Sequence, residues 1–104
     1  MKNIGFVMAS RMLVEERKPV RFMYREKGEG NDSGWRFFTG EEDQQYVDDP
    51  DNIKIYDIQT ILDIDRSIRP YLDSAEYSVF EKDEDEKCFR MVEDFDFGKN
   101  MEEA

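Results

Sequence analysis

The first quarter of the chain alternates apolar and polar positions in a way that predicts two strands. Residues 4–9 form a short apolar run typical of a buried strand, and residues 12–16 are expected to form a brief helical turn. Further on, Val20, Phe22 and Tyr24 alternate with two arginines and a methionine, which is the period of a half-buried strand. The sequence therefore predicts that these three side chains share the apolar face of that strand.

A turn-rich segment and an aromatic strand come next. Residues 27–34 are dense in turn-forming residues, and residues 35–39 resume with β-prone aromatic side chains, so a hairpin with a long loop is predicted. Successive side chains of a strand point to opposite faces. We therefore expect Trp35 and Phe37 to be buried on one face, with Arg36 and Phe38 on the other.

The middle of the chain predicts short helices. Residues 40–47 are typical of one or two helical turns with acids at the positive end of the helix dipole, and Tyr46 and Val47 are expected to face inward. Residues 48–52 contain a proline and end this helix.

A strand and a second helix are predicted directly afterwards. Residues 53–56 favour a strand, and Asp57 is placed as the N-cap of a short helix. Ile58, Ile61 and Leu62 have the i, i+3, i+4 spacing of a buried helical stripe. Residues 68–72 predict a second irregular turn.

The last predicted element is another hairpin, formed by residues 77–82 and 88–92 around the acidic turn 83–86. Cys88 is expected to be a small buried residue of this hairpin. The fold class is therefore α+β, a mainly antiparallel sheet with hairpins and short helices inserted in the middle. Residues 1–92 form one domain, and the acidic tail 93–104 is expected to fray, with Phe95 and Phe97 as the side chains able to dock.

The net charge of the chain restricts the kinds of molecule that it can bind. The 104 residues contain 26 acids, 15 bases and no histidine, for a net charge of −11, and the acids concentrate in residues 26–57 and 81–104. Such a surface repels the phosphates of nucleic acids and anionic lipids. We therefore expect no nucleic acid and no membrane as partner, and a basic protein is favoured.

Several classes of chemistry lack the residues they need. Without histidine, Ser-His-Asp and Cys-His nucleophile systems cannot be built, and no P-loop or dinucleotide-binding glycine motif is present. Cys88 is the single cysteine, so an intrachain disulfide and a cysteine-based zinc site are excluded. No signal peptide or transmembrane segment is predicted. We expect a cytoplasmic protein that is not an enzyme and has no cofactor.

Acidic clusters prompt a search for metal and acid-base sites. Asp49 with Asp51, and Asp83 with Asp85, begin like calcium-binding loops, but each series fails at its third ligand position. We therefore interpret both as solvated turns and predict no metal site. A glycosidase-like carboxylate pair has no marker in the sequence, and a carboxylate-based hydrolase is the least favoured class.

Arginines and aromatic residues leave two interpretations open. Trp35, Phe37 and Phe38 beside Arg36 have the composition of a stacking platform, although burial in a core is the more common outcome. Arg25 and Arg36 lie in paired strands, where a cross-strand salt bridge to a carboxylate such as Asp32 or Asp43 is the simpler hypothesis. The alternative is that both arginines, with Tyr24, bind a small anionic ligand.

Four segments together resemble a known family. They are residues 22–26, 32–43, 52–57 and 70–74, and the second reads DSGWRFFTGEED. The chain resembles, over about residues 4–92, a widespread family of small bacterial single-domain proteins that is assigned to the predicted immunity proteins of polymorphic toxin systems. It departs from the family pattern in the acidic turn 83–86, which lacks a glycine, and in its acidic tail. The resemblance implies a protein that neutralises a cognate toxin by binding it.

The resemblance and the charge lead to one site hypothesis. An immunity protein needs a rigid surface complementary to its toxin, and an acidic surface accelerates association with a basic toxin domain. We therefore expect an acidic rim, together with the loop 29–33 and Arg36, to bind a basic partner. The acids assigned to the site are six residues of the rim and one of the two acids of that loop: Glu41, Glu42, Asp43, Asp48, Asp49, Asp51 and Asp32. A small-molecule or regulatory binding module is the alternative function.

Overall fold

The computed structural model describes residues 5–93 and 95. Within them, six strands alternate with short helices. The strands are β1 (Phe6–Ser10), β2 (Phe22–Arg25), β3 (Asp32–Phe38), β4 (Ile53–Asp57), β5 (Val79–Glu81) and β6 (Arg90–Met91). The α-helices are α1 (Arg11–Glu15), α2 (Gln44–Asp48) and α3 (Ile58–Ile64), and two 3₁₀ helices span Pro50–Asn52 and Arg66–Tyr71.

All six strands form one sheet in the order β4-β1-β3-β2-β5-β6. Neighbours pair antiparallel except for β1 and β3, which are parallel. Because β1 and β3 run in the same direction, the loops after both strands lie at one end of the sheet. The predicted α+β class and both predicted hairpins, β2-β3 and β5-β6, are confirmed.

The helices α1 and α3 and the second 3₁₀ helix cover one face of the sheet, and the main core lies between these helices and the sheet. Met23, Trp35 and Phe37 have no exposed surface on this face, and the predicted burial of Trp35 and Phe37 is confirmed. Side chains from α1, α3 and the second 3₁₀ helix complete the core: Leu13, Ile58, Ile61, Leu62 and Ile68. The indole Nε1 of Trp35 donates to the carbonyl of Leu72 at 3.1 Å, so its one polar group is satisfied.

Capping side chains set where the helices begin. The Asp57 carboxylate accepts from the backbone N–H of Gln59 at 2.9 Å, which confirms the predicted N-cap of α3. The Ser10 hydroxyl accepts from the N–H of Leu13 and starts α1 directly after β1. Strand-to-helix junctions of this kind place both helices on the same face of the sheet.

A glycine allows the hairpin to close tightly. Gly34 has a φ of +92°, and a Cβ built there would lie 2.1 Å from the carbonyl oxygen of Glu26. No other residue type accommodates this approach without a shift of the backbone. The glycine of the DSGW segment is therefore required by the β2-β3 pairing.

Three expectations about side-chain orientation were wrong. Met23, and not Phe22 or Tyr24, occupies the core face of β2, while those two rings lie half-buried on the opposite face. Val47 is 38% exposed, although Tyr46 does face inward, because its hydroxyl accepts from the N–H of Met12 at 3.0 Å. Cys88 is exposed. In each case both faces of the segment carry apolar residues, so hydropathy alone does not select the covered one.

The ends of the chain carry the remaining predictions. Phe95 does dock, with ring centroids 5.8 Å from Phe22 and 5.3 Å from Tyr24. The predicted contact of Phe97, the start of the first strand at Ile4 and most of the tail 93–104 lie outside the described residues. In residues 5–93 and 95, no helix has the length and apolar character needed to cross a membrane.

Candidate functional site

The face of the sheet opposite α1 and α3 carries a groove with an aromatic floor. Phe22 and Tyr24 of β2 and Phe38 of β3 form this floor, with Tyr24 and Phe38 stacked at 5.9 Å. Phe22 lies directly across from Phe38 in the antiparallel register, so the rings meet as a cross-strand cluster. The groove has a volume of about 1060 Å³. We call it the aromatic groove.

The loop after β3 forms one wall of the aromatic groove and is held rigid by Glu42. The Glu42 carboxylate accepts from the hydroxyl of Ser10 at 2.5 Å and from the N–H groups of Thr39 at 2.9 Å and Gly40 at 3.0 Å. Three donors leave this carboxylate little capacity for an outside partner. Its neighbour Glu41 has a side chain that is 61% exposed and forms an ion pair with Lys18 at 3.1 Å.

The end of β5 and the turn that follows it form the other wall. Glu81, Asp83, Glu84 and Asp85 line the groove here, and the last three are exposed. Arg90 pairs with Glu81 at 3.3 Å and with Asp83 at 3.6 Å, and it also binds Glu86. The strand order places β2 between β3 and β5, so the two acidic loops face each other across the β2 rings.

Carboxylates dominate the lining of the aromatic groove. Six acidic residues lie against two bases, Arg21 and Lys82. Burial, together with the charge of Glu26, raises the pKa of Tyr24 to about 12, although the charge of Arg36 opposes the shift. Tyr24 therefore stays a neutral phenol at physiological pH, and the floor adds no charge to the groove.

Arg36 lies on the same face as the aromatic floor and is enclosed by two carboxylates. Its guanidinium donates to both carboxylate oxygens of Asp32, at 3.0 and 2.8 Å, and pairs with Glu26 at 3.4 Å. Arg36 and Asp32 form a salt bridge as predicted, but both belong to β3, so the expectation that this pair joins two strands was wrong. Burial disfavours the charge of Arg36, yet the hydrogen bond to Asp32 and the charge of Glu26 outweigh it and raise the pKa of the guanidinium. The same hydrogen bond lowers the pKa of Asp32.

The guanidinium of Arg25 is held by backbone carbonyl groups. Its Nε donates to the carbonyl of Ser33 at 3.0 Å and its Nη1 to the carbonyl of Ser74 at 2.7 Å, and the guanidinium lies over the ring of Trp35. Arg36 is neutralised by its two acids. Neither arginine therefore presents the open donor set that a small anionic ligand requires.

The predicted rim divides between two parts of the molecule. Glu41 and Glu42 line the aromatic groove, and Asp43 caps α2 by accepting from the N–H of Tyr46 at 2.8 Å. Three further acids lie exposed on α2 and the following 3₁₀ helix: Asp48, Asp49 and Asp51. Asp32 and the loop 29–33 lie at the opposite end of β3, so the structure does not bring them to the rim.

The second wall and the β2 residues of the floor were missed by the sequence prediction. Residues 83–86 were interpreted only as an acidic turn, and Phe22 and Tyr24 were assigned to the core. Two acidic runs, each directly after a strand, were the available signal, but using it requires knowing that β3 and β5 flank β2. Among the described residues, no group of three or more metal-ligating side chains is arranged to hold an ion.

Comparison with known proteins agrees with the sequence resemblance. The model of the immunity protein Imm33 domain matches residues 7–93, which is most of the chain. The chain belongs to the Imm33 family. The matched range includes the residues of both walls of the aromatic groove and its three floor residues, whereas Phe95 lies beyond that range. No curated protein and no solved structure shows significant similarity to this family member.

Proposed function

We propose that this protein is a non-catalytic immunity protein that acts in the cytoplasm and neutralises a basic toxin domain by binding it at the aromatic groove and its acidic walls. One observation carries the proposal. Two acidic loops that are distant in sequence flank one aromatic floor, in which Phe22 and Tyr24 are half-buried and Phe38 is 9% exposed. An apolar centre surrounded by charge is the usual composition of a specific protein interface.

The walls are exposed enough to act on an approaching partner. The side chains of Glu41 and Asp83 are 61% and 70% exposed. Exposed charges of one sign contribute more to the rate of association than to the lifetime of the complex, and salt screens them. A complex formed here is therefore expected to weaken as ionic strength rises.

Within the described part of the chain, the two carboxyl groups with shifted pKa values have the ionisation state of ion-pair partners. A general acid at neutral pH needs a raised pKa. The pKa of Asp32 is lowered by Arg36, and the pKa of Glu86 is lowered by the N–H of Asp83 and by Arg90. Both shifts hold the carboxylates ionised, which suits ion pairs.

The test is co-purification of the tagged protein from its own bacterium at low and at moderate salt, followed by expression of the identified partner. We expect a basic toxin domain that is progressively lost with salt and is toxic unless this protein is present. The double variant Glu84→Lys, Asp85→Lys is expected to lose both binding and protection.

A matched control separates this surface from net charge. Asp73→Lys with Glu76→Lys makes the same change in charge on exposed residues at the other end of the sheet. We expect it to retain binding and protection. An equal loss of binding in the two double variants, or a partner that is harmless to cells, would contradict the proposal.

A further inference from the structure

Phe95 lines the aromatic groove but belongs neither to its floor strands nor to the two acidic loops that form its walls. Its ring lies 5.3 Å from Tyr24, nearly stacked at 30°, and 5.8 Å from Phe22. The ring is half-buried there. The groove is therefore shaped to receive a flat apolar side chain from a separate chain segment.

The charges around Phe95 do not match the groove. In sequence it stands among Glu93, Asp94 and Asp96, while the groove is lined by six carboxylates. Because the sequence around Phe95 has the same sign of charge as the groove, it offers the groove no electrostatic attraction. A segment with an aromatic residue between lysines or arginines would make the same ring contact and add electrostatic attraction.

We propose that a basic segment of a partner protein inserts an aromatic anchor residue at the position of Phe95. The partner segment displaces Phe95 when it binds. This inference rests on the proposed function for the nature of the partner, but it assigns the groove a specific occupant. Aromatic side chains in a central pocket, surrounded by residues that exclude water, dominate the energetics of many interfaces. Here the β2 and β3 rings provide the pocket, and the acidic walls select the flanking charges.

The experiment needs no toxin. Three nine-residue peptides are titrated into the isotopically labelled full chain by NMR: a phenylalanine between two blocks of four lysines, an alanine in the same context, and a phenylalanine between two blocks of four glutamates. We expect the lysine-phenylalanine peptide to bind most tightly, with shifts in β2 and β3 and with the Phe95 ring signals moving towards solvent-exposed values.

The Phe95→Ala variant tests the displacement. If Phe95 fills the groove for about two-thirds of the time, its removal raises affinity for the lysine-phenylalanine peptide about threefold, because the competent fraction rises to one. Ile55→Ala is the control: Ile55 is 61% exposed on β4 and does not line the groove. It is expected to leave the affinity unchanged.

Each contrary result overturns a stated part. Equal binding of the alanine peptide rules out the anchor, equal binding of the glutamate peptide rules out the charge selection, and unchanged affinity in Phe95→Ala rules out displacement. A dimer in sedimentation that dissociates in Phe95→Ala would assign the groove to a second copy instead. Failure to find a toxin would overturn the proposed function and leave these peptide results standing.

Discussion

The two faces of the sheet have similar aromatic content but different surroundings. On the covered face, Trp35 and Phe37 are fully buried under helices. On the open face, Phe22 and Tyr24 are half-buried and exposed to the groove. The strand positions are equivalent, so the helices decide which aromatic residues stabilise the fold and which remain available to a partner. A partly exposed aromatic cluster surrounded by polar residues is typical of interaction sites.

Truncation on each face is the most direct way to test this difference. Phe37→Ala removes a fully buried ring and is expected to lower the free energy of unfolding by about 3–5 kcal/mol. Phe22→Ala removes a half-exposed ring and is expected to cost about 1–2 kcal/mol. Urea denaturation of the two variants gives both values.

The comparison fails if the two variants lose the same stability. That result would mean that the open face supports the fold as strongly as the covered one. It would also remove the physical reason for regarding the aromatic floor as available to a partner.

A charged cluster on the open face provides the next test. Arg36 has a side chain only 10% exposed, and it neutralises Asp32 and Glu26, which are 19% and 18% exposed. Arg36→Met leaves two partly buried carboxylates without their cation and is expected to cost about 2–3 kcal/mol. Thermal unfolding measures the loss.

Two further variants show whether electrostatics is the cause. Adding Asp32→Asn and Glu26→Gln to Arg36→Met is expected to recover much of the stability, because no unpaired charge remains. Arg90→Met removes an exposed arginine with three acidic partners and is expected to have little effect, since exposed ion pairs contribute little. A triple variant no more stable than Arg36→Met would show that packing of the arginine stem is responsible.

The covered face was predictable from sequence, whereas the open face was predicted only for its β3 residues, Arg36 and Phe38. Trp35 and Phe37 follow from strand alternation, and Ile58, Ile61 and Leu62 from helical spacing, because both patterns are local. The position of β2 between β3 and β5 depends on contacts between segments distant in sequence. Met23 was therefore assigned to the wrong face, since an aromatic-rich strand gives no local sign of which side the helices cover.

The same reasoning explains what was predicted of the candidate site. Glu41 and Glu42 were found because they follow an aromatic strand in a run of acids. The second wall, at residues 81–85, became part of the site only through the sheet order. Glu42 also shows that acidic composition does not reveal which carboxylates can bind a partner, because its carboxylate accepts hydrogen bonds from three donors of its own chain.

Acidification is expected to have the smallest effect on stability, and the test concerns Asp32 on the open face. Because the hydrogen bond from Arg36 lowers the pKa of Asp32, this carboxylate is more acidic in the folded state than in the unfolded chain, where it titrates near ~3.9. Its contribution to stability is complete above that value and is lost as the pH falls through the lower, folded pKa. Unfolding free energies of wild type and Asp32→Asn, measured between pH 6 and pH 2, are expected to converge over this acidic range. Parallel curves would show that the pair with Arg36 does not link protonation to folding, and that the open face is held by its rings alone.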